Sequence, residues 1–161
     1  MKMTTQEDYG LRCLLRLGRE APGESLTISE LSRQEGIASP TVAKMMRILR
    51  RAGLVTSTRG KEGGYTLARS PEAINVGEAL AALGGRLFDA RFCERHAGTV
   101  QFCTHTPDCS IRSVWRVLQD VVDSVLGRMT LKDLLRTEVE VTASVSPHAI
   151  PLPLFPTRRA G

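Results

Sequence analysis

The sequence predicts a mainly α-helical protein with a small β-hairpin wing: a winged helix-turn-helix followed by a long dimerisation helix. Three patterns in the 161 residues predict this fold. Amphipathic helical segments separated by glycine and proline come first, and a basic, glycine-rich hairpin follows them. A wide aliphatic stripe then covers residues 110–126. Aromatic residues make up only 4% of the chain, which is typical of an aliphatic helical core.

Three helices are predicted before the hairpin. Apolar residues at helical spacing predict one helix from Gln6 to about Glu20, which Pro22-Gly23 ends. A second helix covers residues 30–35 and stops at Gly36, because glycine favours the left-handed conformation beyond a helix C-terminus. Ser39-Pro40 opens the third helix, with Ser39 as its cap, and this helix runs to about residue 52.

The hairpin completes the first unit. Short strands are predicted around residues 54–56 and 65–67, joined by the turn of residues 59–64. The order helix, helix, tight turn, helix, hairpin is that of a winged helix-turn-helix. Residues 1–70 are therefore predicted to form a DNA-binding domain.

The rest of the chain divides into three parts. Residues 71–109 are predicted to hold a connecting helix, capped by Asn75, and a long loop with three cysteines. Residues 110–137 form the dimerisation helix and a short closing helix. Residues 138–161, which are rich in proline, are expected to be a disordered tail. The apolar stripe of the long helix, which suggests a partner helix from a second copy, consists of Val114, Leu118, Val121, Val125 and Leu126, flanked by Trp115 and Val122.

The net charge of +5 lies entirely in the first part of the chain. Residues 1–70 hold 12 Lys and Arg against 7 Asp and Glu, whereas residues 71–161 hold 10 of each. A polyanion is therefore the expected partner of the first part, although a solvated basic face explains the excess almost as well. The chain has no apolar run long enough for a membrane span and no signal peptide, so a cytoplasmic location is expected.

The third helix is the predicted DNA-reading element. Val42, Met45, Met46 and Leu49 recur at helical spacing and should pack inward. The opposite line carries polar and basic side chains, and the N-terminal end of such a helix meets base edges in the major groove. An ordinary solvated helix face is the alternative. The predicted base contacts are Ser39, Thr41 and Lys44, and the predicted backbone contacts are Arg47, Arg50 and Arg51. Pro40, on the same line of the helix, also belongs to the predicted DNA-binding set. Arg59 and Lys61 are predicted for the wing, where Arg59 could enter a minor groove.

The cysteines predict a metal centre. Cys93, Cys103 and Cys109 lie within 17 residues in a polar loop, and thiolates bind soft or borderline metals. Cys109 is predicted at a helix N-terminus, where backbone N–H groups stabilise a thiolate. Spacing does not identify the metal: a zinc site would need a fourth ligand, which His96 or His105 could supply. Buried inert thiols are the alternative, and this is the role expected for Cys13.

Several segments occur together in one known family. They are Met1–Thr4 with Tyr9, Ser39–Thr41, Leu49–Val55, the wing Arg59–Leu67, the three loop cysteines before Trp115, and Met129–Leu134. On these segments the chain resembles the IscR/NsrR-type (Rrf-type) winged-helix iron–sulphur transcription regulators, over residues 1 to about 136. The resemblance implies a homodimer with crossed long helices, a 2Fe-2S or 4Fe-4S cluster near the dimer interface, and double-stranded DNA bound at a pseudo-palindromic operator. It also implies that cluster status controls DNA affinity, and a repressor of cluster-biogenesis genes is the expected function.

Two features depart from the family's pattern. The first cysteine gap is longer, and Arg112 stands where one branch of the family has a histidine ligand. Another branch uses an aspartate of the first helix, contributed by the partner subunit, and Asp8 stands at that position. The alternative for Asp8 is a first-turn carboxylate favoured by the helix dipole. A nitric-oxide-sensing repressor, a winged-helix regulator with structural zinc, and a cluster-bearing redox protein are the alternative functions; an enzyme is not expected, since no substrate or nucleotide motif occurs.

Overall fold

The fold is the predicted winged helix-turn-helix with a long helix attached. The computed structural model describes residues 3–58, 63–86, 88, 92–95, 103, 105 and 108–145. In chain order the elements are α1 (Thr5–Gly18), α2 (Ile28–Glu35), α3 (Ser39–Arg51), β1 (Val55–Ser57), β2 (Tyr65–Leu67), α4 (Val76–Gly84), α5 (Phe92–Arg95), α6 (Ser110–Leu126), α7 (Leu131–Leu134) and α8 (Glu138–Val145).

Side-chain caps define where the first two helices begin. Thr4 and Thr27 each form a reciprocal capping box with a glutamate three residues later, so the backbone donors of the first turns of α1 and α2 are satisfied. Gly36 ends α2 in the left-handed conformation, with φ of 66°, as predicted. The prediction that Ser39 caps α3 is wrong: the N-cap is Ala38, and the Ser39 hydroxyl instead donates to Ser32 Oγ at 3.0 Å.

At the base of the wing, a third backbone segment pairs with the two strands of the hairpin. β1 and β2 form the predicted antiparallel hairpin, and in its register Val55 lies opposite Leu67. Leu26 and Tyr65 exchange two further backbone hydrogen bonds of 3.0 and 2.8 Å, which attach the α1–α2 connection to the outer edge of β2. A Cβ at Gly64 would lie 3.0 Å from the Leu26 backbone, so only glycine fits there without a shift. The wing tip, with Arg59 and Lys61, lies outside the described residues.

One aliphatic core joins the winged helix to later parts of the chain. Val42, Met45, Met46 and Leu49 of α3 are buried, which confirms the predicted inward face. The same cluster takes in side chains from α4 and α7 that lie beyond residue 70. The core thus extends past the predicted domain boundary, and the later residues in it are Ile74, Ala79, Leu83 and Leu131.

The junction between α4 and the end of α6 is tied by one asparagine. Asn75 Oδ1 accepts the Glu78 N–H and caps α4, as the sequence predicts. Its amide nitrogen also lies 3.3, 2.9 and 3.1 Å from the carbonyl oxygens of Leu126, Gly127 and Met129. Two backbone bonds, Val76 N to Met129 O and Leu131 N to Ile74 O, flank it. The long helix is therefore fixed to the winged helix at its C-terminal end.

The first eight residues of the expected disordered tail are helical. Residues 138–145 form α8, because Thr137 and Glu140 make a capping pair before the first tail proline is reached. The remainder of the predicted tail, 146–161, lies outside the described residues. In the part of the chain that the structure describes, the helices are too short or too polar to cross a membrane.

Candidate nucleic-acid interface and metal-ligating segment

The outer face of α3 is polar, basic and exposed. Pro40 stands in its first turn, the Thr41 side chain is half-buried, and Lys44 and Arg47 follow at helical spacing on the solvent side. The helix contains no acidic residue, so nothing on α3 itself neutralises its cations. At its C-terminal end Arg50 and Arg51 are also exposed. Such a face attracts phosphates over about a Debye length, roughly 8–10 Å in physiological salt.

The turn before α3 is fixed by contacts from α1. Arg12 Nε donates to Glu35 Oε2 at 3.2 Å, and its guanidinium also donates to the Glu35 carbonyl oxygen at the end of α2. The guanidinium lies over the Tyr9 ring, 5.6 Å from its centroid. These contacts hold α1 against the C-terminus of α2 and so set the direction in which α3 leaves the turn. The contact of Arg12 with Glu35 at the end of α2 was not predicted from the sequence.

The three predicted metal ligands differ clearly from the fourth cysteine. Cys93, Cys103 and Cys109 are half-buried and form no disulfide, whereas Cys13 is fully buried in the core. Burial, with a smaller contribution from the nearby Glu35 carboxylate, raises the pKa of Cys13 to about 11. Its thiol therefore stays protonated at neutral pH, as suits a packing residue.

Cys109 is the N-cap of α6. Its Sγ accepts the Arg112 backbone N–H at 3.4 Å, so the sulphur lies where helix N–H groups favour negative charge. Cys93 lies in the short helix α5, and Cys103 follows it in the loop. Within residues 3–58, 63–86 and the described positions after them, no group of three or more His, Cys, Asp or Glu side chains is arranged around one point. The donor chemistry suits a soft metal centre, but the structure does not bring the donors together.

The candidates for a fourth ligand occupy different surroundings. Asp8 lies in the first turn of α1 with about half of its side chain exposed, 49%, and its carboxylate is 3.8 Å from Arg12 Nη1. The Thr4 cap uses Glu7 rather than Asp8, so the capping box does not occupy the Asp8 carboxylate. His105 is exposed in the cysteine loop, and His96 lies outside the described residues.

The N-terminal half of α6 exposes more apolar surface than the sequence indicated. Val114 and Leu118 of the predicted stripe are 58% and 42% exposed, and Trp115 lies beside them. Towards the C-terminus the stripe turns to its own chain, where Leu126 approaches Gly77 of α4. Ile111 and Val117 are also exposed, although neither was included in the predicted stripe.

One amide side chain that positions these elements was not predicted from the sequence, and only part of the role of another was predicted. Asn75 was expected only as a cap, and its bonds to the end of α6 connect residues about fifty positions apart. Gln119 interrupts the apolar pattern of α6 and would have passed as a solvent-facing residue, yet it is buried. Periodicity marks apolar positions, and it carries no signal for a buried polar one.

Comparison with known proteins gives a consistent result. The Rrf2 family profile, described as an iron-dependent transcriptional regulator, matches residues 3–137. The protein rrf2 of Nitratidesulfovibrio vulgaris is 32% identical over 152 residues, covering 92% of this chain and 99% of that one. Among solved structures, IscR of T. potens superposes with a TM-score of 0.64 at 29% identity, covering 84% of this chain and 86% of that one. CymR, the global cysteine regulator of B. subtilis, has a TM-score of 0.64 at 26% identity, covering 84% and 96%.

Proposed function

The chain belongs to the Rrf2 family of transcription regulators, and on that basis we propose that it is a repressor whose DNA affinity depends on an iron–sulphur cluster. It is a winged-helix DNA-binding regulator related to IscR, and not an enzyme. The observation that carries the cluster proposal is the contrast between the cysteines: three half-buried thiols precede or cap α6, while the fourth is sealed in the core. Similarity alone does not choose a cluster, since CymR is as similar in fold as IscR.

The proposed ligands are Cys93, Cys103 and Cys109. A bound cluster would supply iron–sulphur bonds that respond to redox state, iron supply or small molecules. Replacing any one of these cysteines by alanine should remove most of the iron, because a cluster short of one thiolate exposes an open coordination position. The matched control is Cys13→Ala, which should keep the iron. Iron that survives all three loop substitutions would refute the ligand set.

Structural zinc is the competing identity for the metal, because thiolate spacing does not select iron. Metal analysis of the same preparations decides between them. Zinc at one atom per chain, with no acid-labile sulphide, would favour the zinc-bearing winged helix. A nitric-oxide-sensing repressor is a variant of the cluster proposal, and loss of the cluster spectrum on nitric oxide addition at unchanged iron supply would favour it.

The proposed DNA surface combines α3 with the wing. Ser39, Thr41 and Lys44 lie towards the N-terminal end of α3, where we place base contacts, and Arg47 lies one turn further on towards the phosphates. Lys44→Ala should weaken binding to the preferred site and relax base preference. Arg47→Ala should lower the slope of log affinity against log salt by about one unit. Glu24→Gln, on the exposed α1–α2 connection, serves as the control.

The proposed contact set is completed by five further residues of α3 and the wing: Pro40, Arg50, Arg51, Arg59 and Lys61. Arg59→Ala on the wing should cost affinity at the same site, because a minor groove focuses negative potential on an inserted cation. An affinity that is insensitive to salt and to the Lys44, Arg47 and Arg59 substitutions would show that this face does not hold DNA. The proposed operator is a pseudo-palindrome, since a two-fold dimer presents two copies of α3.

We place the dimer contact on the N-terminal half of α6. Its exposed side chains would leave a contiguous apolar surface in water on a monomer, and burial contributes about 25 cal/mol per Å². Leu118→Glu should therefore convert a dimer to a monomer in sedimentation velocity at micromolar concentration. Arg116→Gln, exposed on the same helix, is the control. A wild-type chain that sediments as a monomer would contradict the proposal. The surface consists of Ile111, Val114, Trp115, Val117 and Leu118.

Asp8 of the partner subunit is our proposed fourth ligand. Its carboxylate is half exposed at the N-terminus of α1, and Arg112 cannot bind a metal. An oxygen ligand from the partner's DNA-binding domain would link the orientation of that domain to the cluster. Asp8→Ala should shift the cluster spectrum and weaken cluster-dependent DNA binding. If His105→Ala produces these changes while Asp8→Ala does not, the ligand is the histidine.

A further inference from the structure

Gln119 is a buried polar side chain on a helix that is otherwise half or fully exposed. It retains 5% of its accessible surface, although its neighbours one turn earlier on α6 face solvent. Burying an amide without partners costs several kcal/mol on transfer scales, so a buried glutamine is expected to be fully bonded. The positions of its partners therefore show what it holds in place.

Both ends of the Gln119 amide are used. Its Oε1 accepts the backbone N–H of Phe88 at 2.8 Å, and its Nε2 donates to Asp123 Oδ1 at 2.7 Å, one turn further along α6. The other oxygen of Asp123 forms an ion pair with Arg86. Two successive turns of α6 thus fasten residues 86 and 88, at the start of the cysteine-bearing segment.

This anchor lies within reach of the first cysteine. Phe88 is buried, and its ring packs on that of Phe92, the residue before Cys93, with centroids 5.5 Å apart. Cys93 follows Phe88 by five positions, a stretch that can span at most about 17 Å. Gln119 follows Cys109 by ten residues, which is about 15 Å along the same helix. An anchor at Phe88 thus keeps Cys93 within about 17 Å of the middle of α6, a reach comparable with the distance from Gln119 to Cys109.

We propose that Gln119 is a positioning residue that holds the Cys93 segment against α6, so that the Cys93 and Cys109 thiols can bind one metal centre. The identity of that centre rests on the proposed function, whereas the anchoring itself does not. Without the Gln119 acceptor, the buried Phe88 N–H loses its partner. The cost of a buried unsatisfied donor corresponds to an about tenfold shift from the anchored to the released segment.

The test compares Gln119→Met, which keeps the length and loses both polar atoms, with Asp120→Asn at the adjacent exposed position. Gln119→Glu keeps an oxygen that can accept the Phe88 N–H and should fall between them. The first readout needs no metal: the cluster-free, reduced full chain carrying Cys103→Ala reacts with a short bifunctional thiol reagent, and mass spectrometry measures the Cys93–Cys109 cross-link. The second is iron content and visible absorption after anaerobic reconstitution of the chain with all its cysteines.

We expect Gln119→Met to form the cross-link about tenfold more slowly and to lose most of its iron, and Asp120→Asn to match the wild type. Unchanged cross-linking and iron content in Gln119→Met would overturn the inference and leave the proposed function standing. A cross-link that still falls, in a chain whose wild type takes up no iron, would support the anchor and refute the cluster. If circular dichroism shows that Gln119→Met is unfolded, the exposed Arg86→Gln decides: slower cross-linking supports the anchor, and wild-type cross-linking contradicts it.

Discussion

Asn75 gives the most quantitative prediction for stability. Replacing it with alanine removes the cap of α4, which costs about 1 kcal/mol. Its two amide protons are shared among the carbonyl oxygens of Leu126, Gly127 and Met129, so at most two hydrogen bonds are lost there. At about 1 kcal/mol each, the total loss in the free energy of unfolding is about 3 kcal/mol.

Urea unfolding of the full chain, followed by circular dichroism, measures this loss. Asn75→Asp separates the capping of α4 from the bonds to the end of α6. Its carboxylate can still cap α4, but it replaces the donor of the amide with an oxygen that faces three carbonyl oxygens. It should therefore destabilise the chain at least as much as alanine does. Thr137→Ala removes only the exposed cap of α8 and should cost about 1 kcal/mol or less. If Asn75→Ala costs no more than Thr137→Ala, the bonds from Asn75 to the end of α6 do not stabilise the fold.

Three further predictions follow from individual contacts. Gly64→Ala should lower the melting temperature and the protection of the Leu26 and Tyr65 amides from hydrogen exchange, because its Cβ would lie 3.0 Å from the Leu26 backbone. Gly23→Ala, which has open space but a φ of 92°, controls for backbone strain. Equal effects of the two substitutions would refute the steric explanation. In cluster-free protein at pH 7.5, iodoacetamide should modify the three loop cysteines well before Cys13, because burial raises the pKa of Cys13 to about 11. Mass spectrometry after digestion measures the order of labelling. Early labelling of Cys13 would contradict its place in the core. A hydrogen bond from Lys132, with further hydrogen bonds from the Glu72 backbone and the Ser70 side chain, lowers the pKa of Glu72 from 4.5 to about 2. The stability that the ionised carboxylate adds is therefore complete above pH 4.5 and is lost as the pH falls towards 2. Glu72→Gln should flatten the curve of unfolding free energy against pH over that window, and an unchanged curve would refute these contacts.

The order of elements could be predicted because each has a local cause. Proline and glycine breaks, the Asn75 cap and apolar spacing predict α1, α2, α3, α4 and α6 from local sequence alone. The inward face of α3 also followed from spacing alone. The Ser39 cap failed for a non-local reason, since its hydroxyl found a partner in Ser32 of the preceding helix.

The arrangement of the site could be predicted only in part. The cysteine types and spacing indicate a metal centre, and charge indicates a nucleic-acid face, because both are properties of residues. The anchoring of the cysteine segment depends on Gln119 meeting Phe88, thirty-one positions away, and no local pattern encodes that contact. The same holds for Leu131 in the core of the winged helix, which returns to α1 from far along the chain.

The metal centre is the feature on which the proposed regulation depends most directly. Its test is the absorption spectrum of the wild-type chain purified without oxygen, recorded together with iron and acid-labile sulphide content. We predict a coloured protein with visible sulphur-to-iron charge-transfer bands and comparable amounts of iron and sulphide. The bands and the bound iron and sulphide should disappear in Cys109→Ala and remain in Cys13→Ala. A colourless protein after anaerobic purification, with zinc or no metal bound, would contradict the proposal that this regulator carries an iron–sulphur cluster.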